Sequence, residues 1–332
     1  MNIDPVLLIG GTGALGRKIA EWLRARHPDL PITIAARDQV RAREFAHVLG
    51  NADATAIDLD RADLGLEGRR FSMVIPAFKD HGHVSYRFAQ DRSLPYIALS
   101  EAAFEIAPLV AMHAHRPDTA LALLGHMHGG LPAMIALSLA RYYASVDAIV
   151  LGAVFDPADP LPPGAEKDLE RIMKAGPPPL ALVDGHWRWL PPEAMQPIRR
   201  GGGKEVPAEA AGLTDPLGLW APTGARSVRL DMGSAPTAAG RDGNPGHEVM
   251  IEIIGQTLDG NVVTRRWMVT DPDGNVAFGA KGVVLVAERL LGLDGKPAAR
   301  PGLYFVETLL DAAWVQAELP KLQLTLAEVA IL

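Results

Sequence analysis

Near its start the chain runs Val6-Leu7-Leu8-Ile9, then Gly10-Gly11-Thr12-Gly13-Ala14-Leu15-Gly16, with Leu15, Ile19, Trp22 and Leu23 recurring at helical spacing. Read from Gly11 the turn is G-x-G-x-x-G; read from Gly10 it is also G-x-x-G-x-x-G. Glycines at this spacing let backbone N–H groups approach a pyrophosphate that any Cβ would hold away. A helix starting near Ala14 aims its N-terminal partial positive charge at the same anion. The buried strand before the turn and the amphipathic helix after it separate a dinucleotide site from a bare tight turn. Gly10, Gly11, Thr12, Gly13, Ala14, Leu15 and Gly16 are therefore candidate cofactor contacts.

Further candidates follow along the same edge. A site for NAD places an acid at the end of the second strand, whereas a site for NADP places an arginine there. The sequence has Ile34-Ala35-Ala36-Arg37, with Arg41 one helical turn on, so NADP(H) is expected and NAD(H) is second choice. Asp58 is placed to accept from an adenine amino group, with Leu59 against the ring. Pro76-Ala77-Phe78 follows the fourth strand, where a ribose and nicotinamide would lie, and Ser100 follows the fifth.

Hydride transfer to a ketone or imine also needs a proton donor, and histidine or lysine can serve near neutral pH. Lys79, His81 and His83 fall after the fourth strand, and His126 and His128 after the sixth. Lys79, His126 and His128 are the candidate proton donors. The pairs His81/His83, His113/His115 and His126/His128 are each H-x-H, but no carboxylate stands at a familiar ligand spacing, so no metal is expected. None of Tyr86, Tyr96, Tyr142, Tyr143 or Tyr304 has a lysine four residues on, which disfavours short-chain-dehydrogenase chemistry.

The elements that must position these residues are legible in outline. Short apolar runs at Val6–Ile9, Ile32–Ala36, Ala54–Ile57, Met73–Ile75, Tyr96–Leu99 and Ala120–Leu124 alternate with helical patterns, including Val40–Leu49, Val84–Arg92 and Glu101–His115. That is the signature of an α/β, doubly wound parallel sheet. After Gly125, a helix is expected over Leu131–Tyr143 and a strand over Ala148–Phe155. Residues 156–246 are rich in proline and glycine, the mark of a covering or flexible segment. Val249–Thr257 and Val262–Thr270 flank Leu258-Asp259-Gly260-Asn261, a hairpin signal. A helix over Ala280–Leu291 closes at Gly292.

The 332 residues carry a net charge of −7 and no cysteine, and 48% of them are hydrophobic. Two domains are the default for this length. The acidic balance supplies no field for a phosphate backbone, so no nucleic-acid partner is expected. The lack of cysteine excludes disulfides, thiolate metal sites and a cysteine nucleophile. No basic n-region precedes Val6–Ile9 and no run is long enough to span a bilayer, so a cytoplasmic protein without a membrane partner is expected.

These residues resemble the saccharopine dehydrogenase-like family of Rossmann oxidoreductases. The likeness lies in Val6–Gly16 with Arg17, in Ala35-Ala36-Arg37, and in Tyr96-Ile97-Ala98-Leu99-Ser100-Glu101, where Ala98 stands for the family's usual Asp. Gly125–Leu131, Val262–Leu291 and Pro301-Gly302-Leu303-Tyr304-Phe305-Val306-Glu307 complete it; residues 156–246 lie outside it. The resemblance implies a Rossmann domain over 1–125, with 301–332 packing back on it. It also implies a second α+β domain over 126–300 with a mixed sheet, and a nicotinamide-dependent reaction at a C–N or carbonyl centre. It supplies no catalytic residue, and Ala98 argues against amino-acid substrates such as saccharopine.

The reading is an NADP(H)-dependent oxidoreductase acting on a small molecule in a cleft between two domains. The alternative is a non-catalytic NADP(H)-binding sensor or interaction protein. Trp187, Trp189 and Trp220 either stack on substrate or pack within their own segment. The Val249–Thr270 hairpin, with Ile251, Ile253 and Val263 on an open sheet face, makes a homodimer the expected assembly.

Overall fold

The computed structural model describes residues 4–99, 102, 105–159 and 161–331. In chain order the elements are β1 (Val6–Ile9), α1 (Ala14–Arg26), β2 (Ile32–Ala36), α2 (Gln39–Leu49), β3 (Ala52–Ala56), β4 (Met73–Pro76), α3 (Val84–Gln90), β5 (Tyr96–Leu99), α4 (Ala107–His115) and β6 (Ala120–Leu124). Then come α5 (Leu131–Ala140), β7 (Tyr143–Phe155), α6 (Pro163–Ala175), β8 (Leu180–Val183), β9 (His186–Trp189), β10 (Ile198–Arg199), β11 (Glu205–Val206), β12 (Ala208–Ala210), α7 (Asp215–Thr223) and β13 (Ser227–Ser234). The chain ends with β14 (His247–Thr257), β15 (Val262–Asp271), α8 (Asn275–Leu291), β16 (Gly302–Phe305), α9 (Val306–Leu309), α10 (Ala312–Glu318) and β17 (Thr325–Val329). The described residues divide into two compact units, one from Met1–Glu101, Glu105–Leu124 and Ala280–Leu309, the other from the remainder.

The first unit is built on a parallel sheet in the order β3-β2-β1-β4-β5-β6-β16. Every residue of β1, β2, β4, β5 and β6 is buried, which is why these strands read as continuous apolar runs rather than alternating ones. Strand order reverses beside β1, between β2 and β4, and ligands of such sheets bind outside the strand carboxyl ends at that point. On α1, Ile19, Ala20 and Leu23 are buried, matching the helical spacing seen in the sequence. Asp38 caps α2, its carboxylate accepting from the Val40 and Arg41 N–H groups.

One ionic cluster ties α1 to α8 within this unit. Glu288, 1% exposed, accepts from Arg26 Nε at 2.5 Å and Nη2 at 2.9 Å, and lies 2.7 Å from His27 Nε2. Burial pushes the Glu288 carboxyl up, but the His27 and Arg26 hydrogen bonds outweigh it and the group sits below its ordinary value. Nearby on the same helices, the Lys281 ammonium lies 4.7 Å from the centre of the Trp22 ring.

The second unit holds a mixed sheet in the order β17-β15-β14-β7-β13-β8-β9, with β12 added beside β13. Only β7 and β13 run parallel. Helix α5 packs on β7 and β14, α7 on β13 and β8, and α10 on α5. On the opposite face, Ile198 and Val206 of the β10–β11 hairpin pack against Val154 and Met250.

Several expectations need revision here. Residues 156–246 are neither irregular nor a simple cover: they supply α6, α7 and β13, a strand inside the sheet. β13 escaped notice because Arg229 and Asp231 interrupt its apolar pattern. They project from the same face two residues apart and bond to each other, Nε to Oδ1 at 2.9 Å, so both are buried. Ile251 and Ile253 are not on an open face, since both are fully buried on the side covered by α5. The exposed apolar residues of that hairpin are Leu258 and Val262, at its tip. Trp187 packs edge-on against Trp220 with ring centres 5.5 Å apart. Helix α4 begins at Ala107 and β7 begins at Tyr143.

Arg26→Met leaves Glu288 buried with half of its partners gone, and is expected to cost about 3–5 kcal/mol in urea unfolding. Arg26→Met combined with Glu288→Met is expected to recover most of that loss.

Candidate functional site

The first unit assembles the glycine turn where the strand order reverses. The Gly10 N–H donates to the Ala35 carbonyl at 2.8 Å, and the Gly13 N–H folds back to the Gly10 carbonyl at 2.9 Å. Gly10 has φ +78°, a conformation that favours glycine. A Cβ on Gly16 would stand 2.4 Å from the Gly10 carbonyl oxygen and 2.7 Å from Gly11 Cα, so α1 approaches the turn closely only because residue 16 is glycine. Gly13 heads α1 with no side-chain cap, and no acid lies in the first turn. The open N–H groups of that turn thus form a ready anion site.

The neighbouring candidates fall around this turn with different degrees of freedom. Pro76 pairs in register with Ile9, the Ala77 N–H donates to the Ile9 carbonyl at 2.7 Å, and the Phe78 ring lies against Gly10. Ala36 ends β2 and is buried, while Arg37 and Arg41 are exposed beyond it. Asp38, the next residue, is engaged through Oδ1 as the α2 cap. Asp58 is exposed after β3, with its carboxylate accepting from the Asp60 N–H at 3.0 Å. Leu59 is half-buried against the core of the unit. Ser100 lies outside the described residues.

The three candidate proton donors have distinct surroundings. Lys79 is largely buried in an ion pair with Glu105 at 3.5 Å. Asp80 beside it accepts from the Ser85 N–H and hydroxyl, and Ser85 in turn meets the Tyr96 hydroxyl at 2.8 Å. His126 is buried in the second unit. His128 is half-buried in the turn Met127–Gly130, with φ +48°, and the turn is held by the Met127 N–H donating to Asp215 at 2.8 Å.

His128 does not stand alone. Its Nε2 lies 2.7 Å from Nε2 of His247, the first residue of β14, and the rings meet edge-on at 74°. Phe155 and Phe278 enclose both imidazoles, with ring centres 5.1–5.8 Å from them. Burial pushes His247 down to about 3, and burial together with His247 holds His128 well below the ordinary histidine value. The pair is therefore neutral near pH 7 and shares one proton between two nitrogens. Sequence reading missed His247, because it lies 119 positions from His128 and the strand it opens was read as beginning at Val249.

No protein-family model matches this chain, and no curated protein matches it. Solved structures do. Saccharopine dehydrogenase (L-Glu forming) from Saccharomyces cerevisiae aligns with TM-score 0.70 at 14% identity, over 98% of this chain and 100% of that one. GenD2 from gentamicin A biosynthesis, solved with NAD, aligns with TM-score 0.52 at 15% identity, over 100% and 97%. Myo-inositol dehydrogenase from Lactobacillus casei, solved with NAD(H) and myo-inositol, aligns with TM-score 0.52 at 10% identity, over 99% and 98%. The fold is saccharopine dehydrogenase-like: a Rossmann-type parallel sheet and a second, mixed-sheet unit. Among the described residues no helix is long and apolar enough to cross a membrane.

Two outcomes follow from this geometry. Gly16→Ala drives a methyl group into the Gly10 carbonyl, and it is expected to cost about 1–3 kcal/mol of stability, read by differential scanning calorimetry. The histidine pair makes stability pH-dependent. Both values lie below the unfolded value of about 6.5, so their contribution is complete above that pH and lost as pH falls below it. Each group adds a slope of up to about 1.4 kcal/mol per pH unit. The combined His128→Leu and His247→Leu variant is expected to flatten the fall between pH 6.5 and 5 in urea melts.

Proposed function

We propose that this protein is an NADP(H)-dependent oxidoreductase that moves a hydride to or from a carbonyl or C–N centre of a small molecule. The observation that carries the reading is the approach of α1 to the glycine turn at the strand-order reversal, closed to any residue larger than glycine at position 16. Such a cradle has no packing reason to leave an uncapped helix N-terminus facing outward, and it has a clear reason if it receives a pyrophosphate.

The residues fit the group. The N–H groups of the first turn of α1 hold the pyrophosphate, and Gly10, Gly11 and Thr12 form its floor. Arg37, with Arg41, holds the ribose 2′-phosphate. Asp58 and Leu59 flank the adenine, and Pro76, Ala77 and Phe78 flank the nicotinamide ribose. When bound, the nicotinamide supplies or accepts the hydride. The matching proton needs a side chain able to change its protonation near neutral pH. Lys79, His126 and His128 remain the candidates for that proton. A cytoplasmic homodimer belongs to the same reading, with Leu258 and Val262 at the exposed hairpin tip as its apolar contact.

Titration with NADPH and with NADH, followed by nicotinamide fluorescence, tests the cofactor half. A preference for NADPH of at least about ten-fold, worth about 1.4 kcal/mol, is expected, and Arg37→Ala is expected to remove it. Binding of neither nucleotide would overturn the reading. Binding without oxidation of NADPH by any of a panel of ketones and imines would instead assign a sensor.

A further inference from the structure

We propose that Arg17, set over the ring of Phe45, is a third guanidinium of the ribose 2′-phosphate subsite beside Arg37 and Arg41. The proposal rests on the cofactor reading above and deepens it, and every residue it uses belongs to the first unit.

The arginines of α1 and α2 fall into two groups. Arg24 donates to the carbonyls of Gly50 at 3.0 Å and Asn51 at 2.9 Å, Arg26 binds Glu288, and Arg43 donates to the Gln39 side chain at 2.9 Å. Arg17 and Arg41 are different. Neither guanidinium has a hydrogen bond or ion pair among the described residues, and the same holds for Arg37 just beyond β2. Arg17 and Arg41 stand in the first turns of their helices and Arg37 at the end of a strand, so all three lie at the carboxyl edge of the parallel sheet.

Phe45 links the two helices of this group. The Arg17 Cζ lies 4.2 Å from the centre of the Phe45 ring, and that residue is 4% exposed. Phe45 follows Arg41 by four residues, so both side chains stand on one face of α2. Helical side chains lean toward the N-terminus, which directs Arg17 and Arg41 alike to the carboxyl edge. The Arg17 N–H donates to the Gly13 carbonyl at 2.9 Å, so its side chain leaves α1 immediately past the glycine turn.

This placement is unfavourable until an anion arrives. Cations in a first turn oppose the helix macrodipole, and neither first turn holds an acid. The acids nearest in sequence to α2's first turn are Asp38 and Glu44. Among the described residues neither forms an ion pair with the three arginines, and the Asp38 carboxylate accepts from the Val40 and Arg41 N–H groups. A ribose 2′-phosphate brings a charge of about −1.5 to −2 and three acceptor oxygens, more than one guanidinium can meet. NAD has only a neutral hydroxyl at that position.

Arg17 has surroundings that Arg37 and Arg41 lack. Those two are exposed, where water and salt screen a charge. Arg17 is half-buried, so its charge acts through a lower dielectric. The ring beneath it restricts the guanidinium before any ligand binds, which lowers the ordering cost of binding. A planar, delocalised cation suits a place on an aromatic face, and a lysine ammonium does not. Phe45 is thus the positioning residue.

The test uses adenosine 2′,5′-bisphosphate and adenosine 5′-monophosphate, which differ only in the 2′-phosphate, in calorimetric titrations of the full chain. Wild type is expected to bind the bisphosphate at least about ten-fold more tightly. Arg17→Met keeps the packing over Phe45 without the charge, and is expected to cut that ratio at least about five-fold. Arg17→Lys is expected to restore only part of it, and Phe45→Leu to lower it with Arg17 still present. In ³¹P spectra of the bound bisphosphate, the 2′-phosphate of wild type is expected to stay doubly ionised to lower pH than in the free ligand, and Arg17→Met to lose part of that shift. With wild type alone, the bisphosphate is expected to protect Arg17 from phenylglyoxal, read by peptide mapping, and the monophosphate is not. An unchanged ratio in Arg17→Met, whether both probes weaken equally or neither does, would overturn the proposal and leave the cofactor reading standing. Equal protection of Arg17 by the two probes would do the same, and decides the matter even where a variant fails to fold. Failure of wild type to bind either NADPH or NADH would overturn the cofactor reading, and the proposal with it.

Discussion

The first unit depends on how closely α1 can approach the end of β1. With Gly16 set against the Gly10 carbonyl, the helix starts within the turn instead of after it, and its first N–H groups open at the carboxyl edge of the sheet. That approach also fixes the neighbours. The Gly10 amide is tied to β2 through Ala35, and the Ala77 amide is tied to β1 through Ile9, so both flanking strands end in register with the turn. Arg37 on one side and Phe78 on the other are the first residues free of those ties. The positions of the candidate phosphate and nicotinamide contacts are consequences of two backbone hydrogen bonds and one missing methyl group.

The buried charges follow a second rule. Glu288 with Arg26 and His27, Arg229 with Asp231, and Glu248 with Arg200 are each low in exposure and each paired. Removing a charge from water is tolerated only with such a partner, and the pair adds little net stability over well-packed apolar side chains. What these pairs contribute is placement: Arg26 and Glu288 join helices far apart in the chain, and Arg229 and Asp231 let a polar sequence lie inside a sheet. The histidine pair is different. Burial holds both imidazoles below the ordinary histidine value, so the charge is excluded instead of paired.

These distinctions set what was legible in the sequence. The parallel sheet was readable because strands buried on both faces are continuous runs of Val, Leu, Ile and Ala, and because the glycine turn has a fixed spacing. The hairpin of β14 and β15 was readable from Asp259-Gly260. β13 was not, because its cost-bearing residues, Arg229 and Asp231, look like a solvated loop until their mutual bond is seen. The open-face assignment of Ile251 and Ile253 failed for a related reason: alternation tells which residues share a face, and only the placement of α5 tells which face is covered. His247 was invisible as a partner of His128 because nothing local in either segment refers to the other.

The same contrast bears on how acid–base chemistry could run in this chain. A lysine in an ion pair is stabilised in its charged form and parts with its proton reluctantly, while a lone histidine in an apolar pocket is stabilised in its neutral form and takes one reluctantly. Either environment moves a group away from the range where it can both give and receive.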